Sequence, residues 1–522
     1  MNYNIKLEDI KNINFDSFKS VINEHDFFDR PGKQHYRLLA YLSTLFNNVN
    51  IIDVGTHVGE SALALSFNKT NTIHSFDIIK KNVRPQPNIN FYIENLLEKD
   101  VQDKWKDIIL GAPFIFLDVD PHNGHMEIEF YNYLKSINYQ GFIVCDDIWY
   151  FKEMRDNFWY KLPDNEKYDL TQYGHWSGTG IFTFNKNITF NKYDNSDWTL
   201  VTAYFNLTKC PDASQEIKNR DDNYYFSHAL STLSLPYNLV IYCDQESLEK
   251  IKKIRPEYLK EKTMYYVTEF DEFKFKDNKY LCEYREIINE NRRRLPYNFD
   301  NRNTASYYLF CMTRYLMLKE VIELNPFNSK YFGWINFCIE RMGFKNLIRL
   351  DEALSIKREK FSTCYIDYQP EALVKNTSEY FRWGRCGMCS GFFTGNSEYM
   401  KKACNLIEDK FIEYAGLGYG HADEQLYSAV YFNNKDIFEH YYGDYQQMIT
   451  NYVYVYDAPE PPIHNFIRNS YNNKDYVKCF EACEFVWKSY CLDKCDINDE
   501  YLSKLYYYYM NCKKRINFTL IY

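Results

Sequence analysis

The sequence predicts an α/β chain of two successive domains followed by a helical appendage, on three observations. The chain has 522 residues, and one hydrophobic core rarely grows past about 250–300 residues. Short continuous apolar strands alternate with helical stretches up to about residue 185, the pattern of a parallel sheet covered on both faces. After a polar, Asn-rich stretch from Asn185 to Asp197, a fresh apolar strand opens at Trp198, which marks a second α/β domain. The expected division is 1–192, 198–460 and 461–522.

The elements follow in order. Residues 1–50 read as helical, with Leu38, Leu39, Leu42 and Leu45 at helical spacing. Strands are expected at 50–54, 73–78, 114–118 and 141–146, with a small-residue helix over 59–67 and an amphipathic helix over 125–137. In the second domain the strands are 198–205 and 239–244, and Arg220 to Leu233 reads as the first helix. Beyond Pro459, Pro461 and Pro462, residues 465–515 read as Tyr-rich helix.

Composition excludes several classes. At 45% hydrophobic and 25% charged the chain is globular, not disordered. The net charge is -9, and the triplet Arg292-Arg293-Arg294 reads as a solvated face, so no nucleic-acid partner is expected. No run of 18 apolar residues predicts a membrane span, and the polar opening does not read as a signal peptide. The 15 cysteines include Cys386 and Cys389 in a C-x-x-C and a late group, Cys479, Cys483, Cys491 and Cys495. Cys479 and Cys483 are one helical turn apart, as buried small residues on a helix would be. Free thiols and a cytoplasmic location are the expectation.

Asp53-Val54-Gly55-Thr56-His57-Val58-Gly59-Glu60 leaves a strand and opens a helix. Glycine lets that backbone turn sharply and approach a ligand, and the helix start supplies N–H donors. Asp77 ends the next strand, where an acid can accept hydrogen bonds from both hydroxyls of a ribose. The same logic serves NAD, but the G-x-x-x-G spacing is not the dinucleotide G-x-G-x-x-G. The stretch resembles motif I of class I S-adenosylmethionine (SAM) dependent methyltransferases over about residues 45–185. The resemblance implies a Rossmann-like domain in which Asp53, Gly55, Thr56, His57, Gly59, Glu60, Asp77 and Asp118 surround the cofactor.

Asp118-Val119-Asp120-Pro121-His122 ends one strand and Asp146-Asp147 the next. Carboxylates meeting at adjacent strand ends repel unless a cation or proton lies among them; otherwise Asp146-Asp147 caps a helix. The cluster is similar to that of metal-dependent O-methyltransferases, including the sugar-modifying TylF-like group and the catechol type. That resemblance implies Mg²⁺ or Mn²⁺ held by Asp118, Asp146 and Asp147, with Asp120 or His122 as base or extra ligand.

The second domain carries Trp334-Ile335-Asn336 after a strand, the turn Ser390-Gly391-Phe392-Phe393-Thr394-Gly395, and His421-Ala422-Asp423-Glu424. Order and spacing resemble the HtrL/YibB (WlaTC-like) family, which implies a GT-A-like glycosyltransferase. Asn336, Gly391 and Gly395 would then meet a nucleotide sugar, and Asp423 or Glu424 would bind sugar hydroxyls or act as base. The family pattern has an acid where Asn336 stands. Together the resemblances imply a glycan-modifying enzyme with a nucleotide-sugar donor and a glycan acceptor. Such fusions fit O-methylated surface glycans, including those of large DNA viruses, whose enzymes would work in the host cytoplasm. The competing reading is a methyltransferase for a small molecule or protein, joined to an inactive lectin-like module.

Overall fold

The computed structural model describes residues 2–21, 25–28, 32–79, 86–171, 173–174, 177–190, 197–295, 301–342, 350–382, 385–420, 422–456, 458–459, 461–492 and 494–519. The chain separates into two compact units, Met1–Tyr193 and Asp194–Tyr522. Part of the Asn-rich stretch, 191–196, lies outside the described residues.

The first unit is Rossmann-like. Helix α1 (Gly32–Thr44) precedes β1 (Asn50–Val54), α2 (Glu60–Leu65), β2 (Thr72–Asp77), β3 (Ile89–Ile93), α3 (Lys99–Gly111), β4 (Phe114–Leu117), α4 (His125–Ser136), β5 (Phe142–Cys145), β6 (Lys167–Asp169) and β7 (Gly180–Thr183). The sheet order is β3-β2-β1-β4-β5-β7-β6. The first five strands are parallel, and β7 runs antiparallel to both neighbours. Leu38, Leu39 and Leu42 of α1 are fully buried against the sheet; a fully buried Leu stabilises by about 1.5–3 kcal/mol. The order reverses between β1 and β4, and an open α/β sheet binds its ligand at the carboxyl ends beside that reversal.

The second unit is a second α/β layer structure. Its strands are β8 (Trp198–Tyr204), β9 (Asn238–Cys243), β10 (Thr263–Val267), β11 (Tyr331–Ile335), β12 (Phe361–Tyr365), β13 (Met388–Asn396) and β14 (Phe438–Tyr442), ordered β10-β9-β8-β11-β13-β12-β14. Only β13 runs against its neighbours. All of β8 is buried: Val201 and Ala203 enter one core, Trp198, Leu200 and Tyr204 the other. That two-sided burial is why β8 reads as a continuous apolar run. Helices α5 (Ala305–Leu324), α6 (Ser397–Gly416) and α7 (Asp423–Asn433) cover one face. The late helices α8 (Pro461–Asn472), α9 (Tyr476–Cys491) and α10 (Asp499–Thr519) share that same core through Phe466, Cys479, Cys483, Val486, Leu505 and Cys512.

Two local expectations differ from the structure. Residues 220–233 form two short helices, Asp222–Phe226 and Leu230–Leu233, not one. The first is capped by the Asp221 side chain, which accepts from Tyr224 N–H, and the second starts after Ala229 without a side-chain cap. The arginine triplet is not uniformly solvated. Arg293 and Arg294 pair with Glu290, whereas buried Arg292 donates to the carbonyls of Gly420 and Asn303. All 15 cysteines are free thiols.

Candidate functional site

The loop after β1 is built around glycine. Gly55 has φ +86°, and a Cβ there would lie 1.6 Å from the carbonyl oxygen of Asp118. The close approach locks the first loop onto the end of β4 and brings Asp118 to it. His57 and Gly59 are also left-handed, at φ 47° and 92°, and α2 follows. Asp77, at the end of β2, ties the loop down: its carboxylate oxygens accept from His57 N–H and Ile79 N–H, each at 2.9 Å. Asp53 lies deeper. It is fully buried, accepts from Ser75 Oγ at 2.7 Å, and is held above the usual carboxylate range by burial.

Above this loop is a cavity of about 420 Å³ whose wall includes Gly55, Thr56, His57, Glu60, Asp77, Asp118, Asp120, His122 and Asp146. Asp53 and Gly59 support the loop from behind the wall. Several wall residues are not part of the sequence reading. Tyr36, on α1, donates to Glu60 Oε2 at 2.7 Å. Ile78 and Ile79 are 67% and 58% exposed beside Asp77, and Asn95 and Leu96 close the same side. Two exposed isoleucines next to a carboxylate make an apolar surface with a polar handle, suited to a flat ring carrying a diol.

At the other end of the cavity the acids converge. Ligand atoms of Asp118, His122 and Asp147 all lie within 4.8 Å of one another. His122 Nδ1 is 3.7 Å from Asp118 Oδ1 and 3.5 Å from Asp147 Oδ2, and its Nε2 is 3.1 Å from Asp120 Oδ1. The imidazole stacks on Phe151 at 4.8 Å. Burial and the charges of Asp146 and Asp147 push the Asp118 carboxyl well up. Asp146 faces inward, with Oδ1 3.5 Å from Thr179 Oγ1 and 3.7 Å from His35 Nδ1. Asp146 and Asp147 do not cap the following helix, which begins at Lys152 with Phe151 at its N-cap. Two carboxylates and an imidazole crowded together suit a divalent cation, whose charge would relieve the repulsion.

In the second unit, Asn336 follows β11. Its N–H donates to Gly391 O at 3.0 Å, and its Oδ1 accepts from Trp334 Nε1 at 3.0 Å. A Cβ on Gly391 would meet Met448 Sδ at 2.9 Å and Asn336 Nδ2 at 3.0 Å. Gly395 sits four residues further along β13, where it pairs with Phe332 and packs on Lys360 O. That is about 13 Å along the strand, towards the opposite ends of the strands, so the structure does not bring Gly395 to Asn336. Asp423 and Glu424 open α7. Asp423 Oδ2 is 3.3 Å from Nη1 of buried Arg314, which also donates to Ser390 O and Oγ and lies over the Trp334 ring. Glu424 accepts from Tyr445 OH at 2.6 Å, and burial with the neighbouring Asp423 charge pushes its carboxyl up to about 8. His421 lies outside the described residues.

Residues 196–452 match the family described as "Bacterial protein of unknown function (HtrL_YibB)". No curated protein matches the sequence. Among solved structures, the chain is similar to MycE methyltransferase from the mycinamycin biosynthetic pathway, in complex with Mg and SAH. The identity is 19% over 20% of this chain and 30% of that one, with a TM-score of 0.17. A protein provisionally named caffeoyl-CoA O-methyltransferase, from Staphylococcus aureus, is 15% identical over 34% of this chain and 92% of that one, with a TM-score of 0.23. A ribosomal RNA methyltransferase, also provisionally named, from Plasmodium falciparum, is 15% identical over 29% and 95%, with a TM-score of 0.22. The chain thus spans under a third of the MycE structure's length.

Among the described residues, no helix is long and apolar enough to cross a membrane.

Proposed function

We propose that the first unit is a SAM-dependent, cation-assisted O-methyltransferase and that the second transfers a sugar from a nucleotide sugar, so that one chain extends and O-methylates a glycan. The observation that carries the first half is the two-ended cavity. At one end Asp77 offers its carboxylate to ribose hydroxyls and Ile78 and Ile79 offer an apolar face to the purine. At the other end, Asp118 and His122 of the wall, with Asp147 beside them, offer a ligand set. The loop supplies one tight glycine turn and lacks the dinucleotide spacing, which fits a cofactor without a pyrophosphate.

In this reading Asp118, Asp147 and His122 would hold the divalent ion, and Asp120, 3.1 Å from His122 Nε2, would orient the ring. Asp146, kept inward by His35 and Thr179, adds negative charge to the wall. When bound, such an ion would lower the pKa of an acceptor hydroxyl; the proton would leave to solvent, and the oxygen would take the methyl as the bond to the sulfonium sulfur breaks and S-adenosylhomocysteine departs.

The second half rests on the grouping of Asn336, Gly391, Arg314, Asp423 and Glu424 around the carboxyl end of β11. Asp423 and Glu424 are adjacent carboxyls in unlike surroundings, one facing an arginine and one a tyrosine hydroxyl, the arrangement that separates acid from base. Free thiols throughout fit a reducing, cytoplasmic setting.

The test is a thermal-shift and calorimetric screen of the full chain against SAM, NAD and a panel of nucleotide sugars. Methyl transfer from labelled SAM to saccharide acceptors follows. SAM and at least one nucleotide sugar should raise the unfolding midpoint by mass action. Binding of NAD without SAM would overturn the methyltransferase half.

A further inference from the structure

The order of the second sheet reverses between β8 and β11, so a ligand crevice is expected outside their carboxyl ends. The segments leaving those strands bring two arginines onto one tyrosine. Arg220 and Tyr224 lie in the connection from β8 to β9, and Arg341 lies just after β11. The Arg220 and Arg341 guanidinium carbons are 5.4 Å and 5.3 Å from the Tyr224 ring centroid, and Arg341 is 5.8 Å from that of Tyr225. The two guanidiniums therefore lie within about 11 Å of each other. Among the described residues, neither has an ion-pair or hydrogen-bond partner. Three other arginines of the unit face carboxylates: Arg285 faces Asp271, Arg314 faces Asp423 and Arg358 faces Glu439. In a chain of net charge -9, two unmatched cations converging at the switch point call for an anion.

The floor under them is fixed. Tyr204, at the end of β8, stacks on Phe337 at 5.0 Å and packs on Tyr225 at 5.6 Å. The Cys338 thiol donates to the Tyr225 carbonyl at 3.1 Å. A metal, by contrast, finds a poor seat. Asn336 is neutral, and its one ligand oxygen already accepts from Trp334. Asp423 faces Arg314 and Glu424 is bonded by Tyr445. The only three-ligand cluster among the described residues belongs to the first unit.

We infer that Arg220 and Arg341 form a metal-independent binding site for the diphosphate group of a nucleoside diphosphate. The guanidinium forks match phosphate oxygens in pairs, and stacking on tyrosine holds them in place without neutralising them. They supply the positive charge that a cation would bring where an acid stands at position 336. The nucleoside part rests on the nucleotide-sugar reading; the anion chemistry rests on the arginines.

The experiment is calorimetry of the full chain in excess EDTA, titrated with inorganic pyrophosphate, UDP and GDP. Wild type is compared with Arg220→Ala, Arg341→Ala and Arg341→Lys. Pyrophosphate and at least one nucleotide should bind without metal. Each alanine variant should weaken binding about 10–100-fold, and Arg341→Lys should recover part of the loss. Both side chains are at least partly exposed, so circular dichroism and unfolding midpoints should match wild type. Arg-dependent pyrophosphate binding without any nucleotide binding would confirm the anion site and refute the nucleotide-sugar reading. Nucleotide binding that needs added Mn²⁺ and ignores both arginines would do the reverse. No binding of pyrophosphate or nucleotide in EDTA overturns the inference.

Discussion

Replacing Asp77 by alanine separates a structural part from a cofactor-binding one. In the free protein the carboxylate accepts two backbone N–H groups, from His57 and Ile79, each at 2.9 Å. Both contacts lie at exposed positions, so water takes over when the side chain is removed. The expected cost in stability is on the order of 1 kcal/mol. A bound ribose has no such substitute, because its hydroxyls would face the cavity wall. Losing hydrogen bonds to a charged acceptor costs about 1.5–3 kcal/mol, or about 10–150-fold in Kd. Calorimetry with SAM should show that loss for Asp77→Ala. Asp77→Asn, which keeps an acceptor oxygen and the side-chain shape, should lose less. A folded Asp77→Ala chain that binds SAM within about twofold of wild type would refute the assignment of Asp77 to the ribose.

Three further outcomes follow from the acids. Methyl transfer should be lost in excess EDTA, and in Asp147→Asn even with metal added, while SAM binding persists. Because burial and neighbouring charge raise the Asp118 carboxyl, protons compete with the ion, so Mg²⁺ or Mn²⁺ affinity should climb as pH rises; pH-independent affinity would count against the site. Glu424 is raised from its ordinary 4.5 to about 8 in the folded chain. The folded state then holds a proton the unfolded state has released, so stability should fall as pH rises from about 4.5 to about 8. Glu424→Gln should flatten that decline in chemical unfolding across the same range, and parallel curves for variant and wild type would show that Glu424 does not titrate there.

The central strands of the first sheet, and β8 and β9 of the second, were legible because strands buried on two faces leave unbroken apolar runs, as β8 does with Trp198 to Tyr204. The glycine loop was legible for a different reason. Gly55 is required by local backbone geometry, and Asp77 and Asp118 end strands that the apolar pattern delimits. What the linear pattern does not carry is direction. Asp146 and Asp147 are adjacent in sequence, yet Asp147 turns towards His122 through a left-handed backbone at φ 56° while Asp146 turns towards His35. His35 and Tyr36 reach the cavity from a helix before the motif begins, and nothing in their own neighbourhood marks them.

Asn336 shows how far a strand-end pattern can be taken alone. In sequence, an amide in place of an acid reads as a lost metal ligand and hence as a lost activity. In three dimensions the chemical requirement is charge opposite a diphosphate, and a requirement of that kind can be met from any element that reaches the crevice. Arg220 arrives on the crossover leaving β8 and Arg341 on the turn leaving β11, about 120 residues apart in the chain but on one tyrosine in space. The neutral residue and the unmatched arginines are then two sides of one substitution. Restoring the acid by Asn336→Asp would not restore a metal site, because the carboxylate would face Trp334 Nε1 from the same rotamer and would add a negative charge at the carboxyl end of β11. On this reasoning Asn336→Asp weakens nucleoside diphosphate binding in EDTA, the opposite of what a latent metal site would show.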